Sequence, residues 1–365
     1  MSALLERPAR TATFVFGPNW FASVMGTGIV ATAAASLPVH VPGLRALATF
    51  VWALAAVLLV VLVVAAVRHA KTYADDPVLV QFWGAPPMAL LTVGAGTLLL
   101  GRDWIGESAA VVVDAVLWTA GTGLGLVVAV AVPYRMMTRL GAAPDAAFGG
   151  WLMPVVSPMV SAATGALLVP HVAAGRELLV ACYAMVGISL LGSVVVITQI
   201  WGRLVTHRVG AARMVPTLWI VLGPLGQSIT ALHLLGRAAD GVLPEPYATG
   251  AQVIAVLYGV PVLGFALFWA ALAAAITVRT VRAGLPFSLT WWSFTFPVGT
   301  VVTGASGLAT RTGSGGLAAL AVLLYGMLVA AWTVVAVRTL RGALGGELFE
   351  TGVARVGSEQ ACVEE

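Results

Sequence analysis

Apolar runs of about 20 residues recur along the whole chain, a pattern that leaves room for little except membrane-spanning helices. A soluble core alternates buried and solvated faces; these runs do not. Of the 365 residues, 60% are hydrophobic and 9% are charged, too few charges to solvate a soluble domain of this size. The runs predict ten spans, at approximately 15–37, 44–68, 78–101, 107–133, 147–170, 177–202, 215–236, 247–278, 286–310 and 315–338. Short connections make neighbouring spans antiparallel. Residues 1–14 read as an N-terminal tail without a removable signal peptide, 15–342 as one all-α polytopic membrane domain, and 343–365 as a polar C-terminal tail.

Charge sets an expected orientation. Fourteen of the nineteen basic residues fall on the side that carries both termini and the loops after even spans. Arg45, Arg102, Arg176, Arg237 and Arg311 fall on the other side. That bias predicts cytoplasmic termini. The net charge of +4 is spread over loops with no basic run, which gives no reason to expect nucleic acid. Two cysteines and five histidines lack ligand spacing, so neither a metal nor another cofactor is expected. No convergent set of acids and histidines at membrane depth suggests an enzyme.

The odd spans share a motif, an aromatic near a proline: FGPNWF at 16–21, FWGAPP at 82–87, WLMPVVSP at 151–158, WIVLGP at 219–224 and WWSFTFP at 291–297. The markers Pro18, Pro87, Pro158, Pro224 and Pro297 recur every 66 to 73 residues, one helical hairpin apart. Proline inside a helix removes a hydrogen bond and kinks it, and lipid cannot satisfy the freed carbonyl. Five kinked odd helices are therefore expected inside, around a central pore, with five plainer even helices outside.

Aligned on those prolines, three of the five spans carry polar groups three residues on (Ser161, Gln227, Thr300) and threonines six residues on (Thr164, Thr230, Thr303). The first two spans place theirs elsewhere, at Asn19, Ser23, Gly26 and Thr92. Pore lining is one reading. Threonines bonded back to their own helix carbonyls and lining nothing is the other. In the ninth span Ser293, Phe296, Thr300, Thr303 and Gly307 share one helical face, which suits either the wall of a polar path or a close helix seam. Phe296 beside Pro297 can block such a path or simply pack in the core, and Phe294 and Phe16 compete for the role. Gly226, Thr230 and His233 share a face of the seventh span, where His233 either tunes entry or caps the interface. Asp114 in the fourth span suits proton coupling, or a plain hydrogen bond to a neighbouring helix. No Arg or Lys falls inside a span as drawn, and hydroxyls offer weak donors without fixed charge.

FGPNWFASVMGTGIV at 16–30, the five hairpins and WWSFTFPVG at 291–299 resemble the tellurite-resistance/dicarboxylate transporter family. That family includes slow-type anion channels, malic acid permeases and sulfite efflux pumps. The resemblance covers roughly 14–342, and the first-helix start is most similar to the malate and sulfite branch. It implies a ten-helix protomer in the plasma membrane, a homotrimer, and a pore through each subunit lined by odd helices. It also implies that Phe296 is the gating phenylalanine. Two functions follow as expectations. One is passive transport of small anions. The other is a proton-coupled C4-dicarboxylate (malate) carrier or a sulfite or tellurite exporter.

Overall fold

The computed structural model describes residues 17–68, 75–143, 145–346 and 348. The 1–14 tail, Phe16 and most of the 343–365 tail lie outside the described residues. Within them every regular element is helical. Ten α-helices follow in order: α1 Phe21–Ser36, α2 Leu44–Arg68, α3 Ala85–Gly96, α4 Glu107–Arg135, α5 Leu152–Leu168, α6 Gly175–His207, α7 Leu222–Ala238, α8 Tyr247–Arg282, α9 Phe296–Thr312 and α10 Gly315–Leu344. A π turn, Thr97–Gly101, and a short helix, Arg102–Ile105, extend α3. Eight of the ten segments are long and apolar enough to cross a membrane; the exceptions are the first and ninth, whose α-helices have 16 and 17 residues.

The odd helices close a ring. α1 packs on α3, α3 on α5, α5 on α7, α7 on α9, and α9 returns to α1. Each even helix covers a seam of that ring: α4 lies on α3 and α5, α6 on α5 and α7, α8 on α7 and α9, α10 on α9 and α1. Burial follows the same division. In the apolar stretches, 89% of residues are buried in the third and fifth segments and 78% in the seventh, against 17% to 28% in the even ones. Leu47, Val57, Val60 and Leu191 stand on the outer faces, where hydrocarbon is the matching solvent.

The prolines act differently from the expected mid-helix kink. Only Pro158 lies inside an odd α-helix. Pro87, Pro224 and Pro297 sit in the first turn of theirs, after 3₁₀ stretches Leu79–Gly84, Ala212–Val221 and Leu289–Phe294, and Pro18 starts the 3₁₀ turn before α1. A first-turn proline breaks no intrahelical bond, since that N–H has no partner there anyway. The even helices are also not free of proline: Pro133 and Pro261 lie inside α4 and α8. All five markers, Pro18, Pro87, Pro158, Pro224 and Pro297, are buried away from the outer surface.

Where the odd segments leave α geometry, even helices supply hydrogen-bond donors. Trp52 of α2 donates to Val93 O beside the π turn (3.3 Å), Ser189 of α6 to Val155 O beside Pro158 (2.6 Å), and Trp269 of α8 to Leu218 O in the 3₁₀ stretch (2.9 Å). Irregular backbone is thereby satisfied by protein, which is the condition for keeping it at membrane depth. Glycine allows the closest seam. A Cβ on Gly226 of α7 would collide with the backbone of Thr300 and Val301 in α9. At the turn into α10, Gly313 takes a left-handed φ of 68° and the Ser314 hydroxyl accepts from Leu317 N (3.3 Å).

Candidate functional site

Two cavities lie within the ring, and residues of the odd segments alone line both. The larger, about 260 Å³, opens among the C-terminal halves of the odd helices, down to Ser36, Arg237 and Thr310. The smaller, about 30 Å³, lies among their N-terminal starts, walled by Met25, Phe82, Met88, Met153, Ile220 and Trp292. Phe296 is the one residue common to both walls. Its ring is 4% exposed. Phe294 borders neither cavity; it packs edge-on against Trp219 and Trp291, with centroids 5.7 Å away in each case.

Thr92, Thr164, Gln227, Thr230, His233 and Thr303 line the larger cavity. Pro224, Ser293 and Pro297 line the smaller. Gly307 also lines the larger cavity, and Asn19, Ser23, Gly26, Pro87, Pro158, Ser161, Gly226 and Thr300 border neither. Ser161 and Thr300 are fully buried. Thr300 belongs to the α7–α9 seam, its hydroxyl within reach of Leu222 O (3.2 Å), Gly223 O (3.3 Å) and its own Pro297 O (2.7 Å). Ser23 bonds back to Trp20 O (2.7 Å). Gly26 faces Trp292 and Thr295, and Gly226 faces α9. Asn19, Pro87 and Pro158 lie in or beside the turns that start their helices or, for Pro158, within α5. In the ninth segment Thr300 belongs to a helix seam, while Phe296, Thr303 and Gly307 line the larger cavity.

Each cavity hydroxyl has a carbonyl of its own helix within donating distance. Thr92 donates to Met88 O (2.7 Å), Thr164 to Val160 O (2.9 Å), Thr303 to Thr300 O (3.0 Å) and Thr310 to Ser306 O (2.9 Å). These threonines bond back to their own helices and line the cavity as well. Side-chain N–H groups on this wall come from Gln227, His233 and Arg237. Arg237 was not among the expected lining residues, because the hydropathy of the seventh span ends one residue before it. The last turn of α7 carries it to the cavity mouth.

Asp114 is fully buried on α4 and borders neither cavity. Neither carboxyl oxygen has a hydrogen-bond partner among the described residues. The expected bond to a neighbouring helix is therefore not made; the carboxyl lies against Gly94 of α3, where a side chain would meet it.

The chain matches the family profile described as voltage-dependent anion channel, SLAC1, over residues 15–340. It is 26% identical over 356 residues to Sulfite efflux pump SSU1 of Arthroderma otae, covering 92% of each chain. It is 25% identical over 355 residues to Sulfite efflux pump SSU1 of Trichophyton rubrum, again covering 92% of each. An uncharacterized transporter of Methanocaldococcus jannaschii is 26% identical over 346 residues, covering 92% of this chain and 95% of the other.

Proposed function

The chain belongs to the voltage-dependent anion channel (SLAC1) family, and from that premise we propose that it carries small anions through the centre of the helix ring. The path runs through both cavities, and Phe296 is its constriction. The observation that carries this reading is that two cavities walled by all five odd segments share one residue, an aromatic. A benzyl ring in an apolar neck excludes water as well as ions, so removing it opens the path. Ten membrane crossings, both termini in the cytoplasm, residence in the plasma membrane and a trimer of independent paths complete the proposal. The names of the relatives make sulfite the first anion to try. The test is flux into liposomes containing the purified protein, across chloride, nitrate, sulfite, tellurite and malate. Transport of none of them would end this reading.

A second reading, proton-coupled transport, rests on Asp114. A buried carboxyl without partners is costly to keep charged, and such a group at membrane depth is a place to carry a proton. Uphill accumulation driven by a pH gradient separates this reading from the first.

A further inference from the structure

We infer that side-chain anion coordination in the larger cavity comes from one helix, α7, through the N–H groups of Gln227, His233 and Arg237. This rests on the proposed anion path and assigns its binding stations.

The argument starts from where the protons are. Each hydroxyl on the larger cavity's wall has a backbone carbonyl to donate to. Besides the four threonines above, Thr32 reaches Gly28 O (3.3 Å), Ser36 reaches Ala33 O (2.8 Å) and Thr230 reaches Gly226 O (3.1 Å). Thr230 and Thr303 lie 2.6 Å apart, so one of the two donates to the other in place of its carbonyl, and neither proton is left for the cavity. With those bonds made, the hydroxyls present oxygen lone pairs to the cavity, which repel an anion. A wall of that kind alone would favour cations.

The N–H groups have no such engagement. Gln227 and His233 are 5% and 8% exposed, and neither side chain makes a hydrogen bond to another described residue. Their polar atoms open onto the cavity and are not sealed in the protein, so they are free to bond a ligand there. Arg237 is exposed at the mouth and forms no ion pair among the described residues. Three of the other odd-side arginines are held elsewhere: Arg45 by Asp103 (2.7 Å), Arg176 by Val242 O (3.3 Å) and Arg311 by Gln252 (3.0 Å).

Spacing turns the three groups into a sequence of stations. His233 and Arg237 are four residues apart, one turn of a shared face, and can hold one ion between them. Gln227 lies six residues earlier than His233, about 9 Å deeper along the axis. An anion is captured at Arg237 and His233, then passes to Gln227 in the same cavity that Phe296 closes. Weak successive sites of this kind let an ion enter and leave. The ligand is a small anion that accepts several N–H bonds, chloride or nitrate at the simplest and a compact oxyanion such as sulfite by the same chemistry.

The test is chloride and sulfite flux into liposomes by the parent, Gln227→Glu, Gln227→Leu, Arg237→Gln and Thr303→Val, each first shown to be folded by its size-exclusion profile and melting temperature. Gln227→Glu keeps the volume of the side chain and replaces a donor by acceptors. We expect it to lower flux about tenfold or more, the scale of losing one hydrogen bond to a charged group. We expect Arg237→Gln to lower flux most at low ionic strength, since a mouth charge acts over a screened distance. The inference is overturned if the Gln227 and Arg237 variants keep parental flux, or if Thr303→Val loses as much as Gln227→Glu. An absence of flux in the parent would overturn the transport reading itself.

Discussion

Thr230 of α7 and Thr303 of α9 face one another with their hydroxyl oxygens 2.6 Å apart. The pair joins two helices of the ring on the wall of the larger cavity. Each hydroxyl also has a carbonyl within reach, Gly226 O at 3.1 Å for Thr230 and Thr300 O at 3.0 Å for Thr303. The contact is therefore a structural link first. Thr230→Val and Thr303→Val should each destabilise the protein by about 1 kcal/mol, and the double variant by less than the sum, since the second substitution removes a group already without its partner. Thermal unfolding in detergent reads this as a coupling in the double-mutant cycle. Strict additivity would show that the two hydroxyls do not interact.

The same seam depends on Gly226. Its Cα lies so close to the backbone between Thr300 and Val301 that Gly226→Ala has to push α7 from α9. The expected cost is about 1–3 kcal/mol, as for other overpacked cores. A melting temperature equal to the parent's would mean that the helices separate more easily than their packing indicates.

Asp114 separates the two transport readings. Its carboxyl lies off both cavity walls, against Gly94, with no partner for either oxygen. Passive transport predicts that Asp114→Asn moves anions down their gradient at a rate within about twofold of the parent, the level at which a group off the path has little effect on the barrier. Proton coupling predicts that the parent accumulates anion against its gradient under an imposed pH difference and that Asp114→Asn does not. Accumulation by the parent, lost in the variant, would replace the passive account.

The division into an inner and an outer set of helices was legible because it is written in composition. The aromatic–proline motifs fall in the odd segments, and the outward-facing aliphatics fall mostly in the even ones, since one set meets backbone and the other meets lipid. What proline does there was not legible. The sequence places Pro297 near the middle of an apolar run and does not show that a 3₁₀ stretch ends just before it; in the fifth and seventh segments the irregular backbone is met by partners on other helices, Ser189 and Trp269. From its sequence the ninth segment reads as one helical face from Ser293 to Gly307. The backbone breaks at Thr295, with φ −105° and ψ −77°, so Ser293 joins the smaller cavity and Thr300 turns into the seam.

The cavity wall shows a second limit. Thr92, Thr164, Thr230 and Thr303, singled out by residue type and spacing, border one cavity, yet a sequence does not say which acceptors lie beside a hydroxyl. Here the protons have carbonyl acceptors, and the donor role passes to Gln227, His233 and Arg237. Arg237 could have been found by extending the seventh span to the end of its helical periodicity rather than to the end of its hydropathy.

The most direct measurement is anion flux through purified Phe296→Ala in liposomes, compared with the parent at equal protein content. With the ring gone the two cavities merge, and flux should rise by about tenfold, equivalent to about 1.4 kcal/mol off the barrier. Flux equal to the parent's in a folded Phe296→Ala protein would contradict a path that closes at this residue.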